Sequence, residues 1–224
     1  MKKYLSAALL FSISLSACAQ QAKHPSYKLP DGKIVQADQL DSVNNSWGGR
    51  GYLMKHEKSH PGVIYISPMT DEFLKKQDEE KAKLNALLNK PAPDFTLKDL
   101  TGKQWRLSEL KGKTIVLNFW FTTCPACIQE MPELNQLEGS YKNHPVIFLA
   151  LGRDDAIAIK RFLKVRPFAY THLQNADSIG DLYQVNSYPT SIVIDPKGII
   201  RFVQVGGEDI KERIATAINK TYIH

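Results

Sequence analysis

The chain has 224 residues, 43% of them hydrophobic and 23% charged, which suits one globular domain with a real core plus additional segments. Its formal charge of +6 includes Lys2 and Lys3 at the very start and otherwise contains no basic run, so no nucleic-acid partner is expected. Three cysteines, Cys18, Cys124 and Cys127, are too few for a disulfide-stapled secreted scaffold.

Met1-Lys2-Lys3 is a short basic start, and Tyr4 to Leu15 is an apolar run too short to span a bilayer. Together they read as an export signal. Leu15-Ser16-Ala17-Cys18 resembles the lipobox of bacterial lipoproteins. That resemblance makes residues 1–17 a signal peptide and Cys18 the lipid-carrying first residue of the mature chain. The rival is ordinary cleavage after Ala19, since Ala17-Cys18-Ala19 also fits the small-x-small rule. Either route places the mature protein outside the cytoplasm. With the lipid it is a membrane-anchored protein of the cell envelope facing the periplasm. Ala19 rather than Asp follows Cys18, which by the same resemblance leans away from inner-membrane retention.

Residues 18–90 read as a tether and a small extension. Gln20 to Pro30 is the tether, Asp31-Gly32 a turn, Ser46 to Gly51 a loop, and Gly51 to Met54 and Val63 to Ile66 short strands. His56-Glu57-Lys58-Ser59-His60 matches the H-E-x-x-H pattern, which needs both histidines on one helix face. Pro61 disfavours helical backbone at His60, so no metal site is expected. Asp71 to Leu88 is a charged helix with an apolar stripe of Leu84, Leu87 and Leu88. Asn89 to Pro93 ends it, and the catalytic domain is expected over 91–224.

Phe95 to Leu97 and Gln104 to Leu107 flank Asp99-Leu100-Thr101-Gly102 as a β-hairpin. Val146 to Leu151 is a continuous apolar run typical of a buried strand. Arg153-Asp154-Asp155 opens a helix, Tyr170 to Leu173 is a short strand, and Ile179 to Tyr183 a short helix. Ser191 to Ile194 and Ile199 to Val205 are antiparallel strands joined by Asp195-Pro196-Lys197-Gly198, and a final helix runs from about Glu208 to Tyr222. The order implies an α/β fold, a mixed central sheet with helices on both faces.

Thr114 to Phe119 is a β-rich apolar run leading into Trp120-Phe121-Thr122-Thr123-Cys124-Pro125-Ala126-Cys127, after which Glu130, Leu134 and Leu137 keep a helical pattern. The cysteines therefore lie where a buried strand gives way to the first turn of a helix. Unpaired backbone N–H groups and the positive end of the helix dipole favour thiolate there. A static disulfide closing so short a loop would restrict the unfolded chain little. Zinc would need a second ligand pair, and c-type haem a histidine where Ile128 stands. What remains is a redox-active Cys124–Cys127 couple with no metal and no other cofactor.

The C-terminal part, from Pro91 onward, resembles thioredoxin-like proteins of the TlpA/ResA type within the redoxin (AhpC-TSA) superfamily. The residues that carry the likeness are Pro91-Ala92-Pro93-Asp94-Phe95, the hairpin, Asn118-Phe119-Trp120, the C-x-x-C, Glu130-Met131-Pro132, Tyr188-Pro189-Thr190 and Ile194 to Gly198. The resemblance implies a thioredoxin-like fold with an added N-terminal hairpin. It implies thiol–disulfide exchange on extracytoplasmic proteins, more commonly as reductant, with an upstream redox partner and a monomeric chain. Cys124 is then the more exposed nucleophile and Cys127 the resolving thiol. Glu130 handles protons, Tyr188 and a cis Pro189 meet the substrate backbone, and Trp120 walls the site. Asn118 stands where thioredoxin has a buried Asp. Pro125 lacks an N–H while Ala126 keeps one that can donate toward Cys124, so Cys124 is expected to have a pKa below thioredoxin's value of about 7, which leans toward oxidation. The alternatives are a thiol peroxidase, which needs Thr or Ser where Phe121 stands, and a copper-carrying or redox-inert envelope lipoprotein.

Overall fold

A computed structural model describes residues 26–57, 59, 60 and 62–222, and its contacts divide the chain into two compact units with the boundary between Asp71 and Glu72. The signal segment and Cys18 lie outside the described residues.

In the first unit, β1 (Ser26–Lys28), β2 (Ile34–Val35), β3 (Tyr52–His56) and β4 (Val63–Pro68) form one sheet in the order β2-β1-β4-β3. Ile64 and Ile66 alternate inward along β4 and pack with Val35 and with Leu40 of α1 (Leu40–Ser46). Ser26–Lys28 belongs to this sheet and not to a tether: it pairs parallel with Val63–Tyr65, a long-range contact that local composition does not announce. His56 closes a strand, so the H-E-x-x-H pattern begins on extended backbone; its Lys58 lies outside the described residues.

The second unit begins earlier than Pro91. Helix α2 (Asp71–Asn85) buries Leu84 among Phe95, Leu107 and Leu117, with Leu87 and Leu88 packed on the same cluster. The apolar stripe thus belongs to the catalytic unit rather than to the extension. The hairpin β5 (Thr96–Lys98) and β6 (Gln104–Arg106) follows as expected. The central sheet contains β7 (Thr114–Trp120), β8 (Val146–Gly152), β9 (Thr171–Leu173), β10 (Thr190–Ile194) and β11 (Ile200–Val205), in the order β11-β10-β7-β8-β9. β7, β8 and β9 run parallel, while β10 is antiparallel to both β7 and β11.

Every residue of β7 is buried, because helices cover both faces of the sheet. Val116 and Trp120 pack with residues of α3 (Pro125–Ser140) and α6 (Ile210–Thr221). Ile115, Leu117 and Phe119 pack on the opposite face against Leu84, Phe95 and Tyr183. The Tyr183 hydroxyl donates to the Pro93 carbonyl at 2.7 Å and ties the segment before the hairpin to this second core. Two shorter helices, α4 (Ala156–Leu163) and α5 (Asp177–Leu182), connect β8 to β9 and β9 to β10. The expected mixed α/β, thioredoxin-like architecture is present.

Candidate redox site

Strand β7 ends at Trp120 and α3 begins at Pro125, so Phe121 to Cys124 carry the chain from sheet to helix. Asp154 accepts the Thr122 N–H at 2.7 Å, and Phe121 accepts the Cys124 N–H at 3.2 Å. Cys124 is the N-cap of α3, with extended backbone (φ −85°, ψ 107°), and Pro125 occupies the first helical position, where a missing N–H leaves nothing unpaired. Cys124 and Cys127 are joined as a disulfide, with sulfurs 2.04 Å and Cα atoms 5.3 Å apart.

The Cys127 N–H donates to Cys124 Sγ at 3.1 Å. Ala126, the donor expected from the sequence, makes no such bond: an N-cap side chain reaches the third helical N–H, and here that belongs to Cys127. In the disulfide form the intervening proline therefore removes no bond to the sulfur. Exposure does not rank the sulfurs either, since Cys124 is 3% and Cys127 2% exposed. Access to Cys124 is through its exposed neighbours Thr123, Pro125 and Ala126.

Glu130 lies one turn beyond Cys127. Its Oε2 is buried with no hydrogen-bond partner among the described residues. Burial, reinforced by the Glu133 carboxylate, raises its pKa from 4.5 to about 7. The Tyr188–Pro189 bond is cis, as the resemblance implied. The Pro189 carbonyl accepts the Gly206 N–H at 2.9 Å. Gly206 lies between the carboxyl and the proline loop: a Cβ there would make ordinary contacts of 3.5 Å with Glu130 Oε1 and 3.7 Å with Pro189 Cδ, and it is the φ of +39° that favours glycine.

Trp120 is 0% exposed and shares a buried cluster with Cys124 and Cys127, where its ring packs against Phe162, Phe168 and His172, so it lies behind the site and not on its surface. The surface aromatic is its neighbour: the Phe121 ring meets Tyr188 edge-on at 5.4 Å, and the Arg153 guanidinium lies 5.8 Å and 5.4 Å from the two ring centres. Arg153 Nε also donates to Asp177 at 2.5 Å. Sequence reasoning singled out neither Phe121 nor Arg153 as a contact; the available signal was their place just after the C-terminal ends of parallel strands. Asn118 is 2% exposed and its amide donates to Ser191 Oγ at 3.2 Å, so the central strand is tied to β10 beneath the cysteines.

Two sulfurs held at a helix tip, able to be bonded or free, transfer electron pairs between thiols and disulfides. The protein is a thiol–disulfide oxidoreductase of thioredoxin-like fold. It belongs to the AhpC/TSA family, whose model matches residues 88–203. Among similar proteins, thiol-disulfide oxidoreductase ResA of Bacillus anthracis is 37% identical over 145 residues, covering 64% of this chain and 81% of that one. Thioredoxin-like protein YneN of Bacillus subtilis (strain 168) is 38% identical over 127 residues, covering 54% and 73%. A solved Chlorobium tepidum structure assigned as thiol:disulfide interchange protein DsbE superposes with TM-score 0.55 at 30% identity, over 58% of this chain and 94% of that one.

Proposed function

We propose that this chain reduces disulfides of protein partners outside the cytoplasm, using only the Cys124–Cys127 couple and no further cofactor. In the reduced protein, Cys124 thiolate attacks one sulfur of a partner disulfide. That bond breaks, one partner thiolate leaves, and a mixed disulfide forms. Cys127 then gives up its proton, with Glu130 as acceptor, and its thiolate attacks Cys124 Sγ. The second partner thiolate is released and the Cys124–Cys127 disulfide returns. Two electrons pass to the partner, and an upstream dithiol protein must restore them. The observation that carries exchange at this couple is the Cys127 N–H bond to Cys124 Sγ at the tip of α3, seen in the disulfide and placed to stabilise that sulfur when it attacks or leaves as thiolate in either direction. Glu130 supports it by standing beside the Pro189 loop with a pKa about 7. Tyr188 and Pro189 present the backbone that pairs with the partner chain.

Reduction is taken as the direction because it is the commoner role in the family that the chain resembles; a donor on Cys124 Sγ, whether from Ala126 or Cys127, by itself favours oxidation, so the potential decides. In this reading residues 1–17 direct export and Cys18 carries the lipid. Among the described residues no helix is long and apolar enough to cross a membrane. In this reading membrane attachment is through the Cys18 lipid, and Cys18→Ala should move the protein from the membrane pellet to the soluble envelope fraction.

Trapping with Cys127→Ser tests the mechanism. The variant should accumulate a partner-linked species that dithiothreitol releases, and Cys124→Ser should not; trapping by Cys124→Ser alone would reverse the assignment, and equal trapping by both would refute it. Titration against glutathione tests direction. A potential at or below the glutathione range of about −220 to −260 mV supports a reductant, and one near DsbA's value of about −120 mV overturns it.

A further inference from the structure

We propose that the cleft between α6 and β11 binds a phosphate-bearing anion. The exchange reaction uses the ends of β7 and β8 and the start of β10. The turn Asp195 to Gly198, which joins β10 to β11, lies at the other end of the sheet. Beside it is a cleft of about 440 Å³, lined by Arg201, Phe202 and Asn89 on one side and by Arg213, Thr216 and Lys220 of α6 on the other.

The charges in this cleft do not balance. Its single carboxylate, Asp195, is spent inside the turn. Oδ1 accepts the N–H groups of Lys197 and Ile199, each at 2.9 Å, and Oδ2 accepts Arg201 Nε at 2.8 Å. The Arg213 and Lys220 side chains have neither a hydrogen bond nor an ion pair among the described residues, and they stand two turns apart on one face of α6 with Thr216 between them. Arg201 is fixed differently. Asp195 takes Nε and the Asn89 side chain takes Nη1 at 3.0 Å, which leaves the Nη2 edge free in a held orientation. A fork held in place and two uncompensated cations around one space repel one another, and a bound anion relieves that repulsion.

Phosphate fits better than carboxylate. The two uncompensated cations exceed the charge of one carboxylate, whereas a phosphate monoester carries about −1.5 to −2 and three acceptor oxygens. The surroundings point the same way. The Gly112 N–H donates to the Pro196 carbonyl at 2.9 Å, which brings Lys111 and Lys113 to the same turn as Lys197. Asp94, on that side, already accepts the Ser108 N–H and hydroxyl, each at 2.9 Å. This end of the unit therefore presents a positive field that concentrates anions at the mouth of the cleft. A soluble phosphate monoester and the monoester headgroup of phosphatidic acid offer the same chemistry.

The test uses the purified full chain in its oxidised form at low salt. Calorimetry with pyrophosphate and co-sedimentation with phosphatidic acid against phosphatidylcholine vesicles separate the two sources. Saturable pyrophosphate binding assigns a soluble ligand, and preference for phosphatidic acid vesicles without it assigns a headgroup; either supports the proposal. Arg213→Gln with Lys220→Gln should weaken the bound probe about tenfold. The swap Arg213→Lys with Lys220→Arg, which retains the charge and guards against a folding artefact, should stay within about threefold. Lys75→Gln with Lys76→Gln removes the same charge from exposed positions of α2 and should change nothing. Absence of saturable binding to both probes, or equal weakening by the α2 pair, overturns the proposal.

Discussion

Replacing Glu130 by Gln keeps the shape of the side chain and removes its titration. In the folded protein burial, and then the Glu133 carboxylate, raise the Glu130 pKa from 4.5 to about 7. The raised value means that the folded state holds a proton which the unfolded chain releases near pH 4.5. Its contribution to stability is therefore fully present below pH 4.5 and is lost as pH rises through about 7. The full shift at about 1.36 kcal/mol per pKa unit sets a ceiling of about 3 kcal/mol. Glu130 is only partly buried, so solvent screening reduces the expected effect to about 1–2 kcal/mol. Urea unfolding of the oxidised parent and of Glu130→Gln, from about pH 4.5 to 8.5, measures it directly. Taking the difference between the two proteins at each pH removes every other titrating group. The two should be nearly equal at the acid end, and the variant should be more stable by about 1–2 kcal/mol at the alkaline end. A difference independent of pH, or one favouring the parent at high pH, refutes the assignment of this carboxyl as a buried acid. If Glu130 also takes the Cys127 proton, resolution of the mixed disulfide in the parent should rise with an apparent pKa about 7, and the variant should lose that limb.

Leu84→Ala should destabilise the second unit by about 2–4 kcal/mol in urea, because the side chain is 3% exposed within its core; a loss below about 0.5 kcal/mol would detach α2 from that unit. Tyr183→Phe should cost about 1–2 kcal/mol, since it strands the Pro93 carbonyl that its hydroxyl holds at 2.7 Å, and stability unchanged by the substitution would show that water replaces this bond. Asn118→Asp places a carboxyl in a 2% exposed site beside Ser191, so thermal melting should show a loss that grows as pH rises and the group is forced to ionise; a loss equal at pH 5 and 8 would contradict the burial argument.

The parts of this molecule legible in its sequence are those fixed by nearest neighbours along the chain. The run Thr114 to Phe119 reads as a two-face-buried strand because nothing interrupts its apolar character, and all of it is buried. Asp155 reads as the start of a helix because a short acid can accept the N–H three residues on, and it accepts that of Ala158 at 2.8 Å. Cys124 and Cys127 fall together by the same helical arithmetic. What the sequence hid depends on loops and strands that meet only in the fold. Ser26–Lys28 is a strand only because Val63–Tyr65 lies beside it, and the Leu84 stripe names no partner until Phe95 and Leu107 arrive. Trp120 is legible only in part: it shares a buried cluster with Cys124 and Cys127, as an aromatic beside a reactive motif suggests, but the sequence does not show that it is wholly covered while the next residue, Phe121, meets Tyr188 and Arg153. Arg153 in turn is held by Asp177, from the loop after a different strand. Phe121, Arg153 and Tyr188 thus form one cluster assembled from the ends of β7 and β8 and the start of β10. Differences in partner choice among similar proteins should follow the residues at positions 121, 153 and 188, whereas substitutions at Trp120 should register first as lost stability.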